Sequence, residues 1–520
     1  NYEDSFERYK INDFIVDMPK VSCLCVTKNK EHILRESIIS YQNQIYQNKE
    51  LIVVYEDDNE YIDSVIKNFN SKDIKYIKIS TENKKSLGEL RNISIQESSG
   101  DYICQWDDDD WYHPLRIWEQ FKNKVLLKVK SYNAVANDSL PIYKSVIANN
   151  LEPIIYAFDV KTQNIDSTAI LVDVTKLFST DVKAITALPA SYRKRYKVKR
   201  LDASRSFINT IKSYPKNIEV VQDFTFDADA PPSNVKTNTI TLRVNQSMIL
   251  LPKNKMMGRV YDKRVGYFSI ENVDYSSEAL KADSKRYIKR WRLEPKDINA
   301  YNRGELVEPK KPIVYYLDPA TPDKLKKYIK QGVDDWQKVF ETAGFKNAIM
   351  AKYPPTIEED PEFSMEDIRY SSIRYVASTT RNATGPSVSD PRTGEIIESD
   401  IIWYHNHLRS YRNRYLLETG AANPSARTLE TPAEKIGEMM RMVISHEVGH
   451  ALGLPHNMAA SYAYPIDSLR SGKFTQEFGI AASIMDYARF NYIAQPGNEN
   501  IRFIRQLGPY DHYSINWGYR

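Results

Sequence analysis

His446-Glu-Val-Gly-His450-Ala-Leu-Gly-Leu-Pro-His456 gathers three of the chain's eight histidines. Histidines four apart on a helix project from one face, one turn apart. Glu447 lies beside that pair. Gly453 can leave the helix with φ > 0 and turn the chain so that His456 returns to the same point. Three neutral imidazoles with an open fourth position make a catalytic zinc site, and a neighbouring carboxylate supplies the base. Upstream, Pro432 suits a first helical turn with Thr431 as its cap. Ile436, Met439, Met440, Val443 and Ile444 then form an apolar stripe, so the histidines sit on a core helix, as a rigid site needs.

About thirty residues downstream comes Ser483-Ile-Met485-Asp-Tyr487. With the histidine stretch and its glycine turn, it resembles the metzincin zinc endopeptidases and their Met-turn. The resemblance implies that His446, His450 and His456 bind Zn²⁺, which polarises the scissile carbonyl and acidifies its bound water. Glu447 is then the general base that later protonates the leaving amine. Met485 forms the hydrophobic floor without being a ligand. Tyr487 matches a tyrosine that in some metzincins reaches the zinc or steadies the oxyanion. The partner implied is a peptide or protein substrate.

Around this stretch, residues 311–520 read as an α+β catalytic domain. Pro312–Leu317 is a strand, and Pro322–Ala343 a helix whose apolar stripe packs in a core and which Gly344 stops. Ile373–Ser378 and Ser399–His405 are further strands. Ile373–Ser378 is our candidate for the edge strand that pairs with an extended substrate. His405 and His407 share a strand face and read as structural histidines rather than further ligands.

Residues 122–310 alternate apolar and polar positions and predict a β-rich accessory domain. Its basic run, Tyr192–Arg200, reads as a solvated face. Leu251–Phe268 resembles the segment preceding the catalytic domain in a group of large bacterial zinc metalloproteases. Asp262 or a neighbour is the candidate there for capping the metal, and a plain structural role is the better reading.

Residues 1–121 follow another plan. Strands at Val21–Thr27, Glu50–Asp58, Lys75–Ile79 and Asp101–Trp106 alternate with helices at Glu31–Gln42, Tyr61–Phe69 and Leu87–Glu97. Such alternation predicts a parallel sheet with ligands at the strands' carboxyl ends, where both acidic clusters fall. The motifs Val21–Asn29, Glu50–Asp58, Gly88–Asn92 and Gly100–Asp110 resemble the family 2 glycosyltransferases of GT-A fold. That resemblance implies that Asp57 or Asp58 holds the base of a nucleotide sugar, with Arg91 nearby. Asp107 and Asp109 match the element that binds the diphosphate through Mg²⁺ or Mn²⁺. The resemblance stops near Phe121, before the acceptor-binding half of such enzymes, so the stretch reads as a truncated, donor-binding half-domain.

The fold class expected is therefore multidomain α/β plus α+β. A partial GT-A-like sheet is followed by a β-rich domain and a metzincin-type protease domain. A net charge of +4, from 72 basic and 68 acidic residues, gives no argument for nucleic acid. No apolar run is long enough for a transmembrane helix. Cys23, Cys25 and Cys104 read as buried strand cysteines without a disulfide framework. The opening Asn-Tyr-Glu-Asp-Ser looks like a fragment or processed product. The protease part leans to the cell envelope or secretion, and the glycosyltransferase part to the cytoplasm. Three readings compete: a zinc endopeptidase, a metal-dependent glycosyltransferase, and a non-catalytic fusion of two fragments.

Overall fold

A computed structural model describes residues 19–28, 31–56, 62–82, 85–114, 116–117, 124–129, 134–163, 170–186, 188–233, 236–277 and 281–520. The chain divides into two compact units. One comprises residues 1–130, 152–208 and 222–244, the other 131–151, 209–221 and 245–520.

In the first unit, β1 (Val21–Thr27), β2 (Lys49–Glu56), β3 (Ile74–Ile79) and β4 (Tyr102–Gln105) form a parallel sheet in the order β3-β2-β1-β4. Helices α1 (Glu31–Gln42), α2 (Ile62–Asn68) and α3 (Leu87–Gln96) connect them. This is the expected GT-A-like α/β alternation. The largely apolar make-up of β1 follows from burial on both faces. Cys23 and Cys25 pack with Leu34, Ile38 and Tyr41 of α1, whereas Leu24 packs with Ile52, Val54 and Leu90 of α3. All three cysteines are buried and free. A Ser86–Glu89 capping box starts α3. Strands Lys124–Lys128 and Ile170–Val172 flank Ile154–Gln163 in an antiparallel sheet. The basic run folds as a short helix and a strand, Ala190–Arg195 and Val198–Leu201. Of its six cations, Arg193, Lys199 and Arg200 pair with Asp181, Asp229 and Asp227.

The second unit is built on a five-stranded sheet. Its members are β5 (Ile313–Leu317), β6 (Ile349–Lys352), β7 (Ser371–Val376), β8 (Ala383–Thr384) and β9 (Asp400–Tyr404). The order is β6-β5-β7-β9-β8, and β8 alone of these runs antiparallel to its neighbour. The candidate substrate edge at Ile373–Ser378 is thereby corrected. Residues of that stretch lie in β7, an inner strand that pairs with β9 from Ser372 to Val376 and with β5 up to Ile373, and the antiparallel edge is β8. The sequence signal misled because β8 is two residues long, too short to show periodicity.

The helix predicted over Pro322–Ala343 breaks into α4 (Asp323–Asp334) and Trp336–Glu341, ended by Gly344 at φ +89°. Against α4 lies α5 (Ala433–Ala451), the histidine helix. Ser445 Oγ donates to Gly332 O at 2.9 Å, and Trp336 Nε1 donates to Ser445 O at 2.9 Å. Met439, Met440, Val443 and Ile444 are buried as the stripe requires. The expected cap is not made: Thr431 Oγ1 is buried with no hydrogen-bond partner among the described residues, and Pro432 is the capping position. The core extends upstream of the sheet, since Val265, Tyr267 and Ile288 share it with Val448, Leu452 and Ile515. Ile515 belongs to the last helix, α6 (Pro509–Tyr519).

Candidate metal centre

The last two turns of α5 carry His446, Glu447 and His450, and Gly453 then turns the chain at φ +101°. A side chain at Gly453 would collide with the backbone as well, since its Cβ would lie 2.0 Å from Lys289 O. The turn returns His456 to the first two histidines. One ring nitrogen from each of the three lies within 4.8 Å of the others.

Proton placement in these rings follows from their partners. His446 Nδ1 lies 2.8 Å from Ile484 O, and His450 Nδ1 lies 2.7 Å from Leu454 O. A carbonyl accepts only, so each Nδ1 carries the hydrogen and each Nε2 keeps a lone pair. His450 Nε2 faces His456 Nε2 at 3.0 Å. With its Nδ1 hydrogen committed, His450 Nε2 can either accept a hydrogen from His456 or share a cation with it. Zn–N bonds of about 2.0–2.1 Å in a tetrahedron put nitrogens about 3.3 Å apart, so this donor set fits zinc. Burial, then the nearby Arg505, pushes His446 well below its usual pKa. Burial takes His450 down to about 4 and also lowers His456. All three are neutral at pH 7, the form that binds metal.

Glu447 is buried beside them, and burial raises its carboxyl to about 7 against a hydrogen bond from the Gly385 N–H. Gly385 directly follows β8 and abuts the helix: a Cβ there would lie 2.2 Å from Glu447 O. Met485 is buried under α5. Tyr487 lies with its ring 4.2 Å from that of His456 and 5.6 Å from that of His446.

Sequence reasoning missed the parts that hold this turn. Asp511 of α6 is fully buried and accepts from Ser483 Oγ at 2.6 Å and from the N–H groups of Ile484 and Gly508, each at 2.8 Å. Arg505 is buried and donates Nη1 to Ile484 O at 3.1 Å, the carbonyl that also takes the His446 Nδ1 hydrogen. Phe268 N–H donates to Gly453 O at 2.8 Å, and its ring lies 5.9 Å from that of His450. A lone Asp or Arg far from the histidines gives no motif to find.

Other candidates separate from the site. Asp262 is clamped by Arg264 and is not among the metal-holding group. His405 Nδ1 pairs with Tyr375 OH at 2.9 Å, and His407 is packed between the rings of Trp403 and Tyr411.

In the first unit, Arg91 and Asp107 are brought together, Nη2 to Oδ1 at 3.2 Å. Gln105 also donates to Asp107, and Thr27 Oγ1 donates to Asp108 at 2.6 Å. Asp109 is exposed. Among the described residues, no third ligand joins Asp107 and Asp109 in a metal-holding group. Asp57 and Asp58 lie outside the described residues.

Comparison with known families assigns these halves separately. Residues 428–520 match the Met-zincin family. The Met-zincin match contains every residue of the histidine cluster, the Met-turn and Asp511. Residues 22–125 match glycosyl transferase family 2, and residues 115–296 match a domain of unknown function, DUF5117. An uncharacterized glycosyltransferase of Methanocaldococcus jannaschii is 35% identical over 21% of this chain and 38% of its own length. One from Haemophilus influenzae is 32% identical over 18% of this chain and 38% of its own. The chain thus spans under two fifths of these curated relatives. The crystal structure of S. aureus TarS 1–349 aligns over 28% of this chain and 43% of its own, at 18% identity and a TM-score of 0.19.

Proposed function

We propose that the chain is a zinc-dependent endopeptidase whose catalytic domain is residues 311–520, with 122–310 as an accessory segment. The convergence of three neutral imidazoles beside a buried carboxylate carries this reading. His446, His450 and His456 hold the metal through Nε2. A bound zinc ion supplies Lewis-acid polarisation of the peptide carbonyl and acidifies water. Glu447, raised to about 7, accepts the proton of the attacking water and returns it to the leaving amine. Its affinity for a proton near neutrality suits both steps. Met485 fills the floor, and the Tyr487 hydroxyl steadies the negative charge developing on the carbonyl oxygen. Purified full-length chain should contain about one zinc and cleave an unfolded protein, with a chelator abolishing cleavage. Full metal loading without cleavage would refute the protease reading.

A second reading, for residues 1–121 alone, rests on the Arg91–Asp107 contact at the carboxyl end of the sheet. There the chain binds a nucleotide sugar with Mn²⁺ or Mg²⁺ through Asp107 and Asp109, with Asp57 or Asp58 on the base. Manganese-dependent binding of UDP to the chain, lost in Asp109→Ala, tests it.

A further inference from the structure

One member of the histidine cluster, His456, lines a cavity of about 440 Å³ that the roles above leave unused. Met485 lines it too, with the small side chains of Ala460 and Ala482. Another part of the lining comes from a segment long before the histidine helix. Lys263, Arg264, Val265 and Gly266 line it there, fixed by burial of Val265 and Tyr267 and by the hydrogen bond from Tyr510 OH to Val265 O. Lys263 and Arg264 are the charged groups of that lining, both positive, and no residue lining it is acidic. The two differ in availability. Asp262 engages the Arg264 guanidinium through Nε and Nη2, at 2.5–3.1 Å. The Lys263 ammonium has no salt bridge among the described residues and is exposed.

From this, and resting on the protease reading, we infer that the cavity is a subsite for an anionic side chain of the peptide, Asp or Glu close to the cleaved bond, with Lys263 as its specificity-determining residue. The apolar alanine and methionine wall accepts the aliphatic stem, and the cation at the mouth meets the carboxylate. Without that partner a carboxylate entering the apolar pocket would lose hydration for no return. Because Lys263 is exposed, screening limits the gain to about tenfold or less. Arg264, held by Asp262, stiffens the mouth and contributes little net charge.

The test uses full-length, zinc-loaded chain carrying Glu447→Gln, so that binding is read without turnover. Fluorescent peptides with a single Glu, moved stepwise along an otherwise neutral sequence, are compared with their Gln isosteres. At one position Glu should bind several-fold more tightly than Gln at low salt. Lys263→Glu should abolish or reverse that preference, leave Gln peptides unchanged, and keep the zinc content. Equal binding of Glu and Gln peptides at every position, a preference that survives Lys263→Glu, or no binding of either peptide overturns the inference. Cleavage of an unfolded protein by the unmodified chain is scored separately, so the protease reading can stand when the subsite fails.

Discussion

Gly449 of the histidine helix rests directly on Met485: a Cβ on the glycine would lie 2.2 Å from the methionine sulfur and 3.1 Å from Trp336. The floor of the metal site is therefore set by the absence of a side chain one residue before His450. Gly449→Ala should cost about 1–3 kcal/mol through overpacking and weaken zinc retention. Met485→Leu, nearly volume-conserving, should cost less than about 1.5 kcal/mol. Urea titrations with parallel metal analysis check both. Equal stability of Gly449→Ala and the parent would show that the contact relaxes freely.

The Met-turn hangs on Asp511, which gathers three donors in a site without water access. Asp511→Ala leaves the Ser483 hydroxyl hydrogen and two backbone N–H groups without an acceptor, each costing about 1–3 kcal/mol. Loss of both fold stability and zinc is expected, from a position 26 residues beyond Met485 and with no contact to a metal ligand among its bonds. Retained zinc at unchanged stability would remove Asp511 from the support of the site.

Metal binding should tolerate acid. Histidines ordinarily titrate near 6.5, but His450 is down to about 4 and His446 and His456 are lowered too. Protons compete with zinc only as pH falls through these depressed values. Zinc titrations between pH 7 and 5 should show affinity falling less steeply than for an exposed three-histidine site. A steep loss already at pH 6.5 would contradict the neutral-imidazole assignment.

In the first unit, burial raises the Glu50 carboxyl, but donors from Lys20, Ser22 and Ser99 outweigh it and bring it down to about 2. A depressed carboxyl contributes stability above its unfolded pKa, near 4.5, and loses it as pH falls through the folded value. Glu50→Gln should therefore flatten the acid limb of unfolding curves between pH 5 and 2 and lower stability at pH 7. Superimposable curves would show that the carboxylate contributes nothing.

The parallel sheet and the histidine helix were both legible in the sequence because each is written in local pattern. An apolar strand with an acidic end, and histidines at helical spacing before a glycine, carry their geometry with them. Gly385, Arg505 and Asp511 act across the fold, on Glu447, on Ile484 and on the Met-turn, so no spacing announces them. The same holds for Phe268 and Lys263, nearly two hundred residues before His456. The edge strand was misplaced for a related reason: strand order is decided by long-range pairing, and the two-residue β8 leaves too little pattern to read.

Glu447→Gln in the full-length chain tests the catalytic assignment most directly, with zinc content and proteolytic rate measured on the same preparation. The side chain is nearly isosteric and does not ligate the metal in the proposed arrangement. About one zinc per chain should remain, while cleavage of an unfolded protein falls by at least about 10²-fold. Near-parental cleavage with zinc bound would contradict Glu447 as the base.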